Sequence, residues 1–121
     1  MRFIVEGKLP GINEIVSASR TNRYKANAEK KQAQLRVCQA IGNRKRLSCS
    51  KPVVVSVTYY EPNNRRDVDN ITGGGNKVIL DALVEMGVIV DDSRKWVKQV
   101  HPLVYTDAKN PRIEIEIKEE V

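Results

Sequence analysis

Aromatic side chains are scarce in this chain. Four tyrosines, one phenylalanine and one tryptophan leave little material for a surface that stacks many successive bases. Histidine occurs once, at His101, and no second histidine or cysteine lies near it, which argues against a zinc centre. Cysteine occurs twice, at Cys38 and Cys49, in neither a metal nor a redox spacing. Both are expected to be reduced thiols. No apolar run approaches the roughly 20 residues that span a bilayer. The first residues carry neither signal-peptide nor transit-peptide composition, so the expectation is a cytoplasmic protein without a membrane partner. The glycine-rich Gly73-Gly74-Gly75-Asn76-Lys77 lacks the G-x-x-x-x-G-K-[ST] pattern, because Val78 stands where serine or threonine is required. A nucleotide cofactor is therefore not expected.

What is present is a basic chain of one-domain size. Its 121 residues carry 21 Lys and Arg against 15 Asp and Glu, a net charge of +6. A small basic domain suits a polyanionic partner. The charge is uneven. Between Arg20 and Arg46 lie Arg20, Arg23, Lys25, Lys30, Lys31, Arg36, Arg44, Lys45 and Arg46, opposed only by Glu29. A solvated helix face and a phosphate-binding face both fit that run.

Hydrophobic periodicity outlines an α+β domain over residues 1–121 with a mixed β-sheet packed with helices. Met1 to Lys8 alternates and reads as an opening strand, stopped by Pro10-Gly11. Ile12 to Asn22 is mixed and polar, a loop with a short helical turn. Tyr24 to about Ile41 is rich in helix formers, with Ala28, Leu35, Cys38 and Ile41 near one face and Gly42-Asn43 as its stop. Val53 to Tyr60 is dense in β-branched residues, as in a central buried strand. A helix capped by Asn70 is expected next, interrupted at Thr72-Gly73-Gly74-Gly75-Asn76 and resumed from Lys77 to Met86. Trp96 to Tyr105 reads as a strand broken or bulged near Pro102, with Trp96 in the core. Ile113, Ile115 and Ile117 alternate with charged residues in a last strand.

Chemistry concentrates in Arg65-Arg66-Asp67-Val68-Asp69-Asn70 and in Asp91-Asp92. In an extended segment Asp67 and Asp69 project from one face. Their repulsion is relieved by a shared hard cation such as Mg²⁺, which takes carboxylate oxygens together with substrate phosphates. An acidic turn serves equally as a reading of Asp67 and Asp69 taken alone, and a surface turn is the favoured reading of Asp91-Asp92 taken alone. Lys77 and Asp81 stand at i, i+4, the spacing of an ordinary helical ion pair that could also aim the lysine.

Taken in order, Arg66-Asp67-Val68-Asp69-Asn70, Lys77 with Asp81-Ala82-Leu83, Gly87 and Asp91-Asp92-Ser93 resemble the RusA family of Holliday junction resolvases. Leu9-Pro10-Gly11-Ile12-Asn13-Glu14 and Asn22-Arg23-Tyr24 fit the same pattern upstream. The resemblance implies a Mg²⁺-dependent endonuclease, with Mn²⁺ as a substitute ion, acting as a homodimer on four-way DNA junctions. It implies metal-ligating acids at Asp67, Asp69 and Asp92, with Asp91 assisting, and a catalytic lysine at Lys77. Water attack would leave a 5′-phosphate and a 3′-hydroxyl. The chain departs from the family where Thr72 to Asn76 separates the acidic motif from Lys77. Arg20, Arg23, Lys25, Lys30, Lys31, Arg65 and Arg66 are the candidate phosphate contacts, which would position DNA without reading its sequence. A DNA-binding module that cuts nothing and a nuclease for flaps and forks remain as alternatives.

Overall fold

The computed structural model describes residues 1–42 and 48–120. Arg44-Lys45-Arg46 lies outside the described residues. Four strands form one mixed sheet: β1 (Arg2–Glu6), β2 (Val53–Glu61), β3 (Val97–Thr106) and β4 (Arg112–Glu119). Their spatial order is β1-β4-β2-β3. β4 pairs antiparallel with both β1 and β2, whereas β2 and β3 run parallel. Parallel neighbours need a crossover element between them. Here that element is helix α3 (Val68–Glu85). The chain thus has the expected α+β architecture.

β2 sits between two neighbours, and its side chains alternate strictly. Val53, Val55, Val57, Tyr59 and Glu61 are buried, while the residues between them are half-buried. Phe3, Val5, Ile113, Ile115 and Ile117 extend the same buried face across β1 and β4. β3 runs through Pro102 without a break. It is an edge strand, and an edge tolerates a residue that cannot donate to a neighbour. The irregularity falls earlier: Val53 pairs with Val97 and Val54 with Gln99, leaving Lys98 as the extra residue.

Two helices precede β2: α1 (Ile12–Thr21) and α2 (Arg23–Ile41). The segment expected to be mostly loop is therefore a full helix. It buries none of its side chains completely. The Asn22 side chain caps α2 by accepting from the Lys25 amide at 3.1 Å, and Gly42 ends it at φ +63°. The buried face of α2 is Ala26, Ala33, Val37, Cys38 and Ile41. Ala28 and Leu35, expected on that face, are exposed. Small Ala26 and Ala33 occupy the buried positions instead. Cys38 and Cys49 are both buried. Trp96, expected in the core, is half-buried, with the Lys95 ammonium 5.6 Å from its ring centre.

α3 corrects the expectation of a glycine interruption, because it runs unbroken through Gly73, Gly74 and Gly75. Each glycine costs about 1 kcal/mol of helix propensity relative to alanine. Tertiary contacts explain two of them. A Cβ on Gly74 would lie 2.2 Å from the Pro10 carbonyl oxygen, and one on Gly75 would lie 2.6 Å from the Tyr59 hydroxyl. The bare helix surface lets the Pro10–Ile12 backbone and the Tyr59 ring close onto it. Among the described residues, no helix is long and apolar enough to cross a membrane.

Candidate active site

The N-terminus of α3 is held by a buried ion pair that the sequence did not announce. Glu61 is 3% exposed at the end of β2. Arg66 donates to its two carboxylate oxygens from Nε and Nη2, each at 2.9 Å. Arg66 also donates to the Leu9 carbonyl at 3.0 Å and to Glu14 at 3.3 Å. Burial opposes the Arg66 charge most strongly of any one effect, but the hydrogen bonds and charges of Glu61 and Glu14 together more than offset it and its pKa is raised. Glu14 likewise loses solvation by burial, yet a backbone hydrogen bond and Arg66 bring its pKa below the usual carboxylate range. Arg66 was a candidate phosphate contact. The structure commits its guanidinium to the fold, where it ties β2, the Leu9 segment and α1 to the start of α3. One signal for Glu61 was available: it continues the buried alternation of Val53 to Tyr59.

Asp67 is the N-cap of α3 and Asp69 lies in its first turn. The two are therefore not an extended same-face pair. Asp67 makes no side-chain capping bond, and both carboxylates are exposed. Asp69 Oδ1 accepts from the Asn70 amide at 3.0 Å. Negative charge at a helix N-terminus is favoured by the aligned peptide dipoles. Asn70, expected as the cap, is instead buried inside the helix. Its Oδ1 accepts from the Asn13 amide at 2.8 Å, docking the first turn of α1.

Along α3, Asp69, Gly73, Lys77 and Asp81 follow one another at i, i+4 and share a ridge. Because the helix is continuous, Lys77 lies roughly 12 Å along the axis from Asp69. Its ammonium bridges Asp81 at 3.0 Å and Asp92 at 3.1 Å. Hydrogen bonds to Asp81 and then Asp92 raise the Lys77 pKa, and the same contact lowers that of Asp92. The Asp92 amide donates to Asp91 Oδ1 at 2.8 Å. Lys77 remains largely exposed, so a substrate can reach its charge.

Gly73 leaves the ridge without a side chain between Asp69 and Lys77. The gap opens on a small cavity of about 200 Å³ lined by Ile12, Lys30, Gln34, Gly73 and Lys77 among others. The structure thus brings Lys77, Asp81 and Asp92 together and sets Asp67 and Asp69 at the helix start. Among the described residues, no three of His, Cys, Asp or Glu gather closely enough to share one metal ion. The donor chemistry at the α3 start nonetheless suits a hard cation. It offers two accessible carboxylates, and Mg²⁺ is commonly held by one or two carboxylates with water and substrate phosphate completing its shell.

Arg20, Arg23, Lys25, Lys30, Lys31 and Arg65 are exposed. All but Arg65 belong to α1 and α2. None of the six is in an ion pair with an acid among the described residues.

The sequence model of the family described as endodeoxyribonuclease RusA matches residues 10–118. No curated protein matches the chain in sequence.

Proposed function

The chain belongs to the RusA endodeoxyribonuclease family, and from that premise we propose that it is a Mg²⁺-dependent resolvase of four-way DNA junctions. The family indicates a Holliday junction resolving endonuclease, a hydrolase of branched DNA. The match over residues 10–118 carries the reading, because it spans the acidic motif, Lys77 and Asp92 together. Metal dependence, dimerisation and a role in recombination and repair are the proposal's own additions.

Asp67 and Asp69 would hold Mg²⁺, with Mn²⁺ as a substitute, while Asp92 beside Asp91 stays paired with Lys77 and would not share that ion. The ion would supply charge neutralisation at the phosphate and a more acidic water. Lys77 supplies a fixed positive charge. With its pKa raised by two carboxylates, it stays protonated near neutral pH and acts as an electrostatic group rather than as a base. Asp81 and Asp92 together keep that ammonium over the helix ridge. Arg20, Arg23, Lys25, Lys30, Lys31 and Arg65 would hold the phosphate backbone. Junction preference would then follow from shape and from a two-fold dimer, whose paired sites match symmetric cuts in opposed strands.

The test is an immobile labelled four-way junction incubated with the protein in Mg²⁺ or in EDTA. Paired symmetric nicks only with metal are expected, with 5′-phosphate and 3′-hydroxyl ends. Asp69→Asn should abolish the nicks while leaving binding within a few-fold; retained cleavage would remove Asp69 from the catalytic set. A second reading, a DNA-binding module that does not cut, draws on the separation of Asp92 from the α3 start. Binding without nicks under every metal would establish it. Equal cutting of flaps, forks and linear duplex would instead indicate a nuclease of broader taste.

A further inference from the structure

Immediately after Asp92 the chain places three more cations, at Arg94, Lys95 and Lys98. Together they line an open concavity of about 400 Å³ to which no acidic side chain contributes. All three are exposed. The surface cations Arg2, Lys77, Arg112 and Lys118 are neutralised by neighbouring carboxylates, whereas the candidate phosphate contacts of α1 and α2 are not. Arg94, Lys95 and Lys98 are not in any such pair among the described residues; the one contact of this group is Lys95 over Trp96.

Two backbone features hold the group in place. The Ser93 carbonyl accepts from the amides of both Trp96 and Val97 at 2.9 Å, closing a tight turn that carries Arg94 and Lys95. Lys98 is the unpaired residue of the β2–β3 register shift. A bulge on an edge strand bends the strand and re-aims the side chain it carries. Like charges gathered on a rigid turn repel one another, and an anion of repeating single charges relieves that repulsion.

We propose that Arg94, Lys95 and Lys98 form a second phosphate-binding surface that grips the backbone of a duplex arm of the substrate DNA. This rests on the endonuclease reading above. The cluster begins two residues after Asp92, whose carboxylate meets Lys77. The candidate catalytic ridge therefore has cations near it from two elements: Lys30 of α2, which lines the cavity beside Lys77, and this turn, which follows Asp92.

The test measures binding of the full chain to a fluorescent immobile four-way junction in EDTA, over a series of salt concentrations. Each phosphate contact contributes about 0.9 to the slope of log affinity against log salt. Arg94→Ala/Lys95→Ala/Lys98→Ala should lower that slope by about 2 to 3 and weaken binding at least roughly tenfold near 0.1 M salt. The charge-conserving Arg94→Lys/Lys95→Arg/Lys98→Arg should keep the wild-type slope, since a phosphate needs only a cation. An unchanged slope in the alanine variant, or an equal loss in the charge-conserving one, overturns the proposal. Nicking by the unaltered protein in Mg²⁺ is scored separately. Its absence refutes the endonuclease reading, while the salt slope still judges the surface.

Discussion

Replacing Gly74 by alanine sets helix propensity against packing. Propensity favours alanine by about 1 kcal/mol. The added methyl, however, would lie 2.2 Å from the Pro10 oxygen, 2.6 Å from the Gly11 carbonyl carbon and 2.8 Å from the Ile12 nitrogen. All three are backbone atoms and cannot swing aside as a side-chain tip can. Relief requires moving the Pro10–Ile12 segment, which the Arg66–Leu9 and Asn13–Asn70 hydrogen bonds hold on either side. Overpacking typically costs about 1–3 kcal/mol and occasionally more, and contacts this close belong at the upper end. The net expectation is a loss of roughly 2 kcal/mol. Gly73 is the internal control. A methyl there meets only the Ile12 side chain, at 3.3 Å, on an exposed position. Gly73→Ala should therefore be neutral or stabilising by up to about 1 kcal/mol. Urea unfolding of both variants, with midpoint and slope compared, provides the measurement. A Gly74→Ala midpoint at or above that of the unaltered protein, at unchanged slope, would refute the close-approach account of the glycine-rich helix.

Lys77→Met should reduce junction cleavage by about 10²–10³-fold, the scale of losing one charge-stabilising donor; junction binding in EDTA and the unfolding midpoint should barely move. Comparable cleavage by this variant would take Lys77 out of the reaction. Arg66→Met leaves Glu61 buried without its partner and should cost about 3–5 kcal/mol in denaturant unfolding. A variant that folds normally and loses only DNA affinity would restore Arg66 as a phosphate contact. Burial, followed by the nearby Glu85 carboxylate, pushes the Cys38 thiol up to about 11. In a Cys49→Ala background its alkylation at pH 8 should run roughly 100-fold below that of a free thiol. Because the folded value is raised, the stability from the protonated thiol is complete below the ordinary value of 9.0 and is lost as pH rises through about 11. Alkylation at the rate of an exposed thiol would contradict that burial.

Local patterns carried the strands well. Val53 to Tyr60 and Ile113 to Ile117 each show their buried face through a two-residue period, which needs no knowledge of a partner. The same period continued to Glu61 but was masked by its charge, since an acid in a core position makes sense only with Arg66 opposite. α1 was harder because it buries no side chain completely and its segment is rich in small polar residues that read as loop. On α2 the face was legible at Cys38 and Ile41, but Ala28 and Leu35 stood in for the buried Ala26 and Ala33.

The acidic motif and its ordered companions were legible from residue type and spacing alone, and they led to the family that the match over residues 10–118 supports. Their arrangement was not legible. Three consecutive glycines read as a break because propensity is a local quantity. The continuous helix exists because Pro10, Ile12 and Tyr59, distant in the chain, press against those bare positions. Asn70 has the chemistry of a cap, yet a partner 57 residues away recruits it into the helix instead. Lys77 meets Asp92 across 15 residues for the same reason. The sequence by itself determined which charged and polar groups the chain possesses and the periods at which its strands bury side chains. Only the tertiary structure decided which of those groups face one another, because ion pairing and close packing act through space between atoms that chain order leaves far apart.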